Sequence, residues 1–270
     1  RNDSLIAAIG KAEHGGSFDF PDWCAPLFDL YDALFSATSG AIDPCVGEDL
    51  IRLGYDASLS FTVTQDAPEH LGALRGRAVW GRDVTRHGTT LVTHEPVQLD
   101  FGACGKGYLV DLLGRMLQSS QFVIDAGGDL LIHAEQPISV ALEDPEDQSH
   151  AIGIAHIANG ALCASAPSRR HWNVAVNERT QIAIHHLLNA IDGLPAQQTE
   201  ASWAYVPANA TLNLARDYPT AVADGLATAL FVSDVAQLQR TFDFTYATLD
   251  ESRQIAVSRN FPADLFLRSA

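Results

Sequence analysis

The stretch that most constrains this chain is Asp100-Phe-Gly-Ala-Cys-Gly-Lys-Gly107, three glycines set between a run of strand character, Thr89 to Leu99, and a run of helical character. Behind it Leu109, Leu112, Leu113, Met116 and Leu117 recur at helical spacing, so the segment reads as strand, glycine-rich turn and helix, with these residues as the helix's apolar face. The backbone of such a turn can approach a ligand closely, and amides at a helix N-terminus stabilise an anion there. Gly102, Gly105 and Gly107 supply the turn, and Lys106 adds a full positive charge. The segment has neither the Gly-Lys-Ser/Thr of a Walker loop nor the spacing of a Rossmann fingerprint, and alone it is equally consistent with an ordinary tight turn.

Three other segments are periodic. Leu27, Leu30, Tyr31, Leu34 and Phe35 predict a packed helix, with Pro26 in its first turn and Gly40 as its stop. Phe122-Val-Ile-Asp125 and Leu130-Leu-Ile132 read as extended chain bent at Gly127-Gly128. A helix from about Ala223 turns Leu226, Ala227, Leu230 and Phe231 inward, and a second, led by Asp234, runs through Leu238 and Phe242. Gly15 to Asp22, Asp56 to Ala73 and Glu143 to Ser149 read as loops, and none is a domain linker. This irregular interleaving of strands and helices favours α+β over a strict βαβ repeat. At 270 residues and 47% hydrophobic content, the chain can bury a real core as one large domain or two small ones.

A net charge of -16 argues against nucleic acid or an anionic membrane surface as partner, because bare phosphates meet a repulsive field. A phosphate ligand must then be held by a metal ion, a helix N-terminus or a few local cations. Cys24, Cys45, Cys104 and Cys163 lie far apart with no zinc spacing and are expected as free thiols. No run approaches the roughly 20 apolar residues that cross a bilayer, so no direct membrane insertion is expected.

Single residues support two readings each. Asp224 and Thr228, four apart on a helix, point oxygens from one face and can share a hard cation such as Mg²⁺; equally, Asp224 can complement the dipole of a first turn while Thr228 packs. His185-His186 follows the alternating stretch Gln181 to Ile184, from where an imidazole can reach a cleft as a base or simply be solvated. Ser165 lacks a Gly-x-Ser-x-Gly elbow and is a poor hydrolase nucleophile. Asp129, straight after two glycines, is a turn residue or a ligand contact.

The order of these pieces resembles the flavin transferase family ApbE, FAD:protein FMN transferases once called thiamine biosynthesis lipoproteins. Ser39-Gly-Ala-Ile-Asp-Pro-Cys-Val-Gly47 is similar to the family's S-G-x-F-D-P-T-V-G, and Asp100 to Tyr108 to its D-L-G-G-I-A-K-G-Y. Asp125-Ala-Gly-Gly-Asp129 resembles N-A-G-G-D, His186 to Pro195 resembles H-I-I-D-P-x-T-G-x-P, and Ala223 to Ala229 resembles A-D-A-L-A-T-A. The resemblance implies a single α+β domain over 1–270, related to the T-fold, with mixed and antiparallel sheets, packed helices and an FAD cleft between its subregions. It implies Mg²⁺ held by Asp224, Thr228 and the carbonyl of Gly105. It places Gly102, Gly105, Lys106, Gly107, Asp129, Ser165 and His186 on the flavin nucleotide, with His186 also the catalytic base. The implied reaction moves FMN from FAD to a Thr or Ser hydroxyl of an acceptor flavoprotein and releases AMP.

Departures from the pattern are Ala164-Ser165-Ala166 for T-S-G, Asn189, Ala190 and Asp192 for Asp, Pro and Thr, and Cys45 for Thr. Two alternatives stand beside the transferase: an Mg²⁺-dependent FAD pyrophosphatase giving FMN and AMP, and a protein that binds FAD without chemistry, to which Ala164-Ser165-Ala166 and Asn189 point. The family usually has an N-terminal strand and helix ahead of the point where this sequence starts. Family habit favours the cell envelope over the cytoplasm.

Overall fold

A computed structural model describes residues 3–177 and 180–266. The chain divides into two compact units, Arg1–Phe101 with Arg170–Ala196, and Gly102–Arg169 with Gln197–Ala270. Among the described residues the first unit opens with α1 (Leu5–Ile9), β1 (Gly16–Asp19), α2 (Ala25–Ala37), α3 (Gly47–Arg52), α4 (Ala67–His70), β2 (Val84–His87) and β3 (Thr90–Thr93). The second unit begins with α5 (Gly105–Met116), β4 (Phe122–Asp125), β5 (Asp129–Glu143) and β6 (Ala151–Ser165). The first is completed by β7 (His171–Asn177), β8 (Thr180–His185), β9 (Leu188–Asn189) and β10 (Leu194–Pro195). The second is completed by β11 (Thr199–Pro207), α6 (Asn213–Asp217), α7 (Pro219–Ala229), α8 (Val235–Leu238), β12 (Thr245–Asp250), β13 (Ile255–Val257) and β14 (Ala263–Leu265).

In the first unit α2 forms where the periodicity places it, with Pro26 in its first turn and Leu27, Phe28, Leu30, Tyr31 and Leu34 buried. Phe28 packs its ring among Phe20, Trp80 and Phe101, at centroid distances of 5.2 to 6.0 Å. Beside this core lies an antiparallel sheet in the order β1-β3-β2. Three expectations change here, the first being that α4 (Ala67–His70) lies inside Asp56 to Ala73, expected as a loop. β1 lies inside Gly15 to Asp22, expected as a loop, and is held by pairing from Gly16↔Thr93 to Asp19↔Thr90. The strand expected over Thr89 to Leu99 is only β3, and Pro96, which has no N–H for a ladder, stands three residues beyond its end.

The second unit is built on a seven-stranded sheet in the order β13-β12-β11-β6-β5-β4, with β14 also on β6 and every pair antiparallel. Its core includes Ile132, Leu142, Ile157, Leu162, Trp203, Leu249 and Phe261. The bend between β4 and β5 falls at Gly127 (φ 73°) and Gly128 (φ 102°), left-handed conformations that glycine adopts without strain. Asp125 Oδ1 accepts both of their amides.

Helices α5 and α7 pack together, and both depart from the expected pattern. α7 starts at Pro219 rather than Ala223, because Asp111 on α5 accepts the N–H groups of Thr220 (3.0 Å) and Ala221 (2.8 Å) and so caps it from elsewhere in the chain. Asp224 is therefore a mid-helix residue, and its reading as a first-turn residue fails. On α5 the expected apolar face is largely outward: Leu109, Leu113 and Met116 are 56%, 44% and 76% exposed, whereas Gly107, Tyr108, Val110 and Asp111 are buried. Close approach decides the orientation. A Cβ on Gly107 would stand 2.3 Å from the carbonyl oxygen of Thr220, so α5 turns its glycine inward and its leucines out. α8 keeps its Asp234 cap, the carboxylate accepting from Ala236 N–H at 2.7 Å, but stops at Leu238 rather than running through Phe242.

Candidate functional site

The glycine-rich turn leads into α5 at Gly105, so Lys106 and Gly107 sit in the first turn of a twelve-residue helix. The Lys106 ammonium lies 2.8 Å from Asp224 Oδ1 and 2.7 Å from Asp129 Oδ2. Asp224 Oδ2 accepts the N–H of Gly107 at 3.0 Å. Three of the residues singled out from sequence, from α5, the start of β5 and the middle of α7, thus share one cluster within the second unit. The carboxylates are deep, 1% and 2% exposed, and the lysine reaches them from a side chain that is 45% exposed.

Burial raises the pKa of Asp224, the charge of Asp129 raises it further, and Lys106 and the Gly107 amide oppose both. Burial works against the ammonium of Lys106, but Asp224 and Asp129 outweigh it and hold its pKa above the ordinary lysine value. Asp129 Oδ1 is buried with no hydrogen-bond partner, and Oδ2 has the ammonium as a close ion-pair neighbour outside good hydrogen-bond alignment. Two deep carboxylates thus face a single ammonium.

This donor set fits a hard divalent cation. Its ligating atoms are oxygens, and the orphaned Asp129 Oδ1 marks a place short of positive charge. Thr228 lies one turn beyond Asp224 on α7 and is half-buried, while Gly105, half-buried, opens α5 two residues before the Gly107 contact. Among the described residues no three His, Cys, Asp or Glu side chains converge, so a cation held here relies on hydroxyl and carbonyl oxygens beside Asp224. Ser165 ends β6, and the amide of the preceding Ala164 donates to the carbonyl of Gly128 at 3.1 Å, next to Asp129. Gly102 is exposed, ahead of the helix.

His186 belongs to the first unit, just after β8. Its Nδ1 lies 3.3 Å from the carbonyl of Arg170; when Nδ1 carries the proton it donates there, and Nε2 is then the basic nitrogen. The neighbouring His185 is structural. Its Nε2 donates to Ala196 O at 2.7 Å, its Nδ1 accepts from Leu187 N–H at 3.2 Å, and burial lowers its pKa.

Two features around this loop have no spacing that sequence reading could use. Tyr55 stacks on Trp172 (5.8 Å, 15°), Phe61 packs on the same indole (5.4 Å), and the ring of Tyr55 lies 6.4 Å from His186. Arg77, fully buried, lies 2.7 Å from Asp49 and 3.5 Å from Asp43, and donates to the carbonyl of Ala190 at 2.7 Å. Asp43 also accepts the N–H of Cys45 at 2.8 Å, so the Asp-Pro-Cys segment and the chain after His186 meet on one guanidinium. Cys24, Cys45, Cys104 and Cys163 are outside any disulfide, in line with the thiols expected, and the structure buries all of them.

The ApbE family matches residues 1–248. The ApbE protein of Thermotoga maritima superposes with a TM-score of 0.77 at 20% identity, covering 97% of this chain and 84% of the other. The flavin transferase ApbE of Vibrio cholerae gives 0.72 at 17%, covering 97% and 82%, and the flavinyl transferase ApbE of Pseudomonas stutzeri 0.69 at 19%, covering 96% and 80%. The fold of this chain is that of these structures, which bears out the α+β reading. Comparison with curated proteins returns no match.

Proposed function

The chain belongs to the ApbE family, and from that premise we propose that it is a transferase moving the FMN half of FAD onto a Thr or Ser hydroxyl of an acceptor flavoprotein, with AMP leaving. The observation that carries the reading is the cluster of Lys106, Asp129 and Asp224 at the start of α5, a cation-seeking pair of deep carboxylates beside a glycine-rich helix N-terminus. Asp224, Thr228 and the carbonyl of Gly105 would hold Mg²⁺. When bound, that ion offsets charge on the pyrophosphate oxygens. Gly102, Gly105, Gly107, Asp129 and Ser165 line the nucleotide, and Lys106 contributes a cation to its phosphates. His186, with its proton on Nδ1, takes the hydroxyl proton of the acceptor at Nε2 as that oxygen attacks the phosphorus attached to riboflavin.

The FAD-binding alternative draws on Ala164-Ser165-Ala166, where two small apolar residues flank the serine. One experiment separates the readings: incubation with FAD, Mg²⁺ and an acceptor domain, followed by a denaturing gel and nucleotide analysis. Transfer leaves flavin fluorescence on the acceptor and releases AMP, and His186→Ala abolishes both. Free FMN and AMP without labelled protein identify a pyrophosphatase, and FAD that stays intact identifies a binding protein. Full transfer by His186→Ala removes the assigned base. We place the reaction in the cell envelope; among the described residues no helix is long and apolar enough to cross a membrane.

A further inference from the structure

We infer that Lys106 is a placeholder for the divalent cation at Asp224: ammonium and cation compete for the same carboxylate, and loading the cation expels the lysine. The inference rests on the cation reading proposed above and concerns what this chain's own lysine does about it. Asp224 has two oxygens. One accepts the amide of Gly107, and the other is 2.8 Å from the Lys106 ammonium, so a cation reaching this carboxylate meets an atom already engaged. A magnesium ion binds oxygen at about 2.0–2.1 Å, and an ammonium held on that same oxygen would stand unshielded beside it.

Of the groups in the cluster only the lysine is free to leave. Asp224 is fixed in the middle of α7, and Asp129 begins β5, which is paired on both sides. Lys106 enters on a flexible stem from a side chain that is 45% exposed. One ammonium leaves Asp129 Oδ1 without a hydrogen-bond partner, and a divalent ion at Asp224 brings one more positive charge to the pair of carboxylates than the ammonium it replaces. The displaced ammonium then carries its charge outward, on the side from which an anionic ligand approaches the helix N-terminus. Lysine, cation and phosphate are thereby coupled through one swing of one side chain.

The chain has only two lysines, Lys106 and Lys11, which makes the test direct. Wild type, Lys106→Met and Lys106→Gln are titrated with Mn²⁺ by electron paramagnetic resonance, and wild type is acetylated with acetic anhydride with and without saturating Mn²⁺. Removing a charge-assisted competitor should tighten Mn²⁺ binding about tenfold or more in both variants. Mn²⁺ should raise acetylation of Lys106 in wild type and leave Lys11 unchanged. Equal or weaker Mn²⁺ binding in both variants, or Lys106 labelling that stays flat at saturation, overturns the inference. If no form of the protein binds Mn²⁺, the cation reading and this inference fall together; wild-type binding without a gain in the variants removes this inference alone. The labelling arm uses only wild type, so a variant that fails to fold does not protect the claim.

Discussion

Replacing Arg77 by methionine isolates the most deeply buried charge network of the first unit. The guanidinium and the carboxylates of Asp43 and Asp49 have side chains 0 to 1% exposed, so water cannot take over the role of the missing cation. Methionine fills much of the volume but strands both carboxylates and leaves the carbonyl of Ala190 without this donor. Removing one partner of such a pair costs about 3–5 kcal/mol, a large share of the roughly 5–15 kcal/mol that holds a typical domain. Urea unfolding at pH 7.5, followed by the fluorescence of Trp80 and Trp172, should show a loss in that range. The pH dependence checks the cause. Burial lifts the pKa of Asp49 from 3.8 to about 6 even with Arg77 beside it, and loss of Arg77 lifts it further. A carboxyl whose folded pKa is raised contributes stability that is full below its unfolded value and is lost as pH rises through its folded value. The deficit of Arg77→Met should therefore shrink between pH 8 and pH 5. A cost below about 1 kcal/mol, within the range of an exposed ion pair, or a deficit that grows on acidification, would refute the reasoning.

Two further outcomes concern the helix pair. Gly107→Ala should cost about 1–3 kcal/mol in urea, because its Cβ meets the Thr220 backbone. Gly114→Ala should cost less, since its closest contact at 2.6 Å is the end of the Leu131 side chain, and the reverse order would contradict the packing argument. Asp111, whose pKa burial raises from 3.8 to about 6, should stabilise wild type over Asp111→Asn more at pH 4 than at pH 8, by up to about 3 kcal/mol. A difference that is flat with pH across that window counts against it.

What the residues disclosed in advance was local. Glycine spacing found the turn before α5, the i, i+4 rule put Asp224 and Thr228 on one face, and periodicity found α2. What stayed hidden depends on partners remote in sequence. The start of α7 is set by Asp111, 109 residues before Thr220, and no local cap advertises it. The apolar stripe of α5 misled because helix orientation followed the closest backbone approach, which the glycines permit, rather than the largest hydrophobic face. No local pattern marks Arg77 as buried, because its partners Asp49 and Ala190 lie 28 residues before and 113 residues after it. The stacking of Tyr55 on Trp172 likewise joins distant stretches of the first unit.

Helices α5 and α7 each lend a carboxylate to the opening amides of the other, Asp111 to Thr220 and Ala221, Asp224 to Gly107. The pair behaves as a mechanical interlock keyed at both ends. A slip of one residue, about 1.5 Å along the axis, disengages every key at once, so intermediate offsets are excluded. The carboxylate of Asp224, which the Lys106 ammonium meets, takes its position from that interlock.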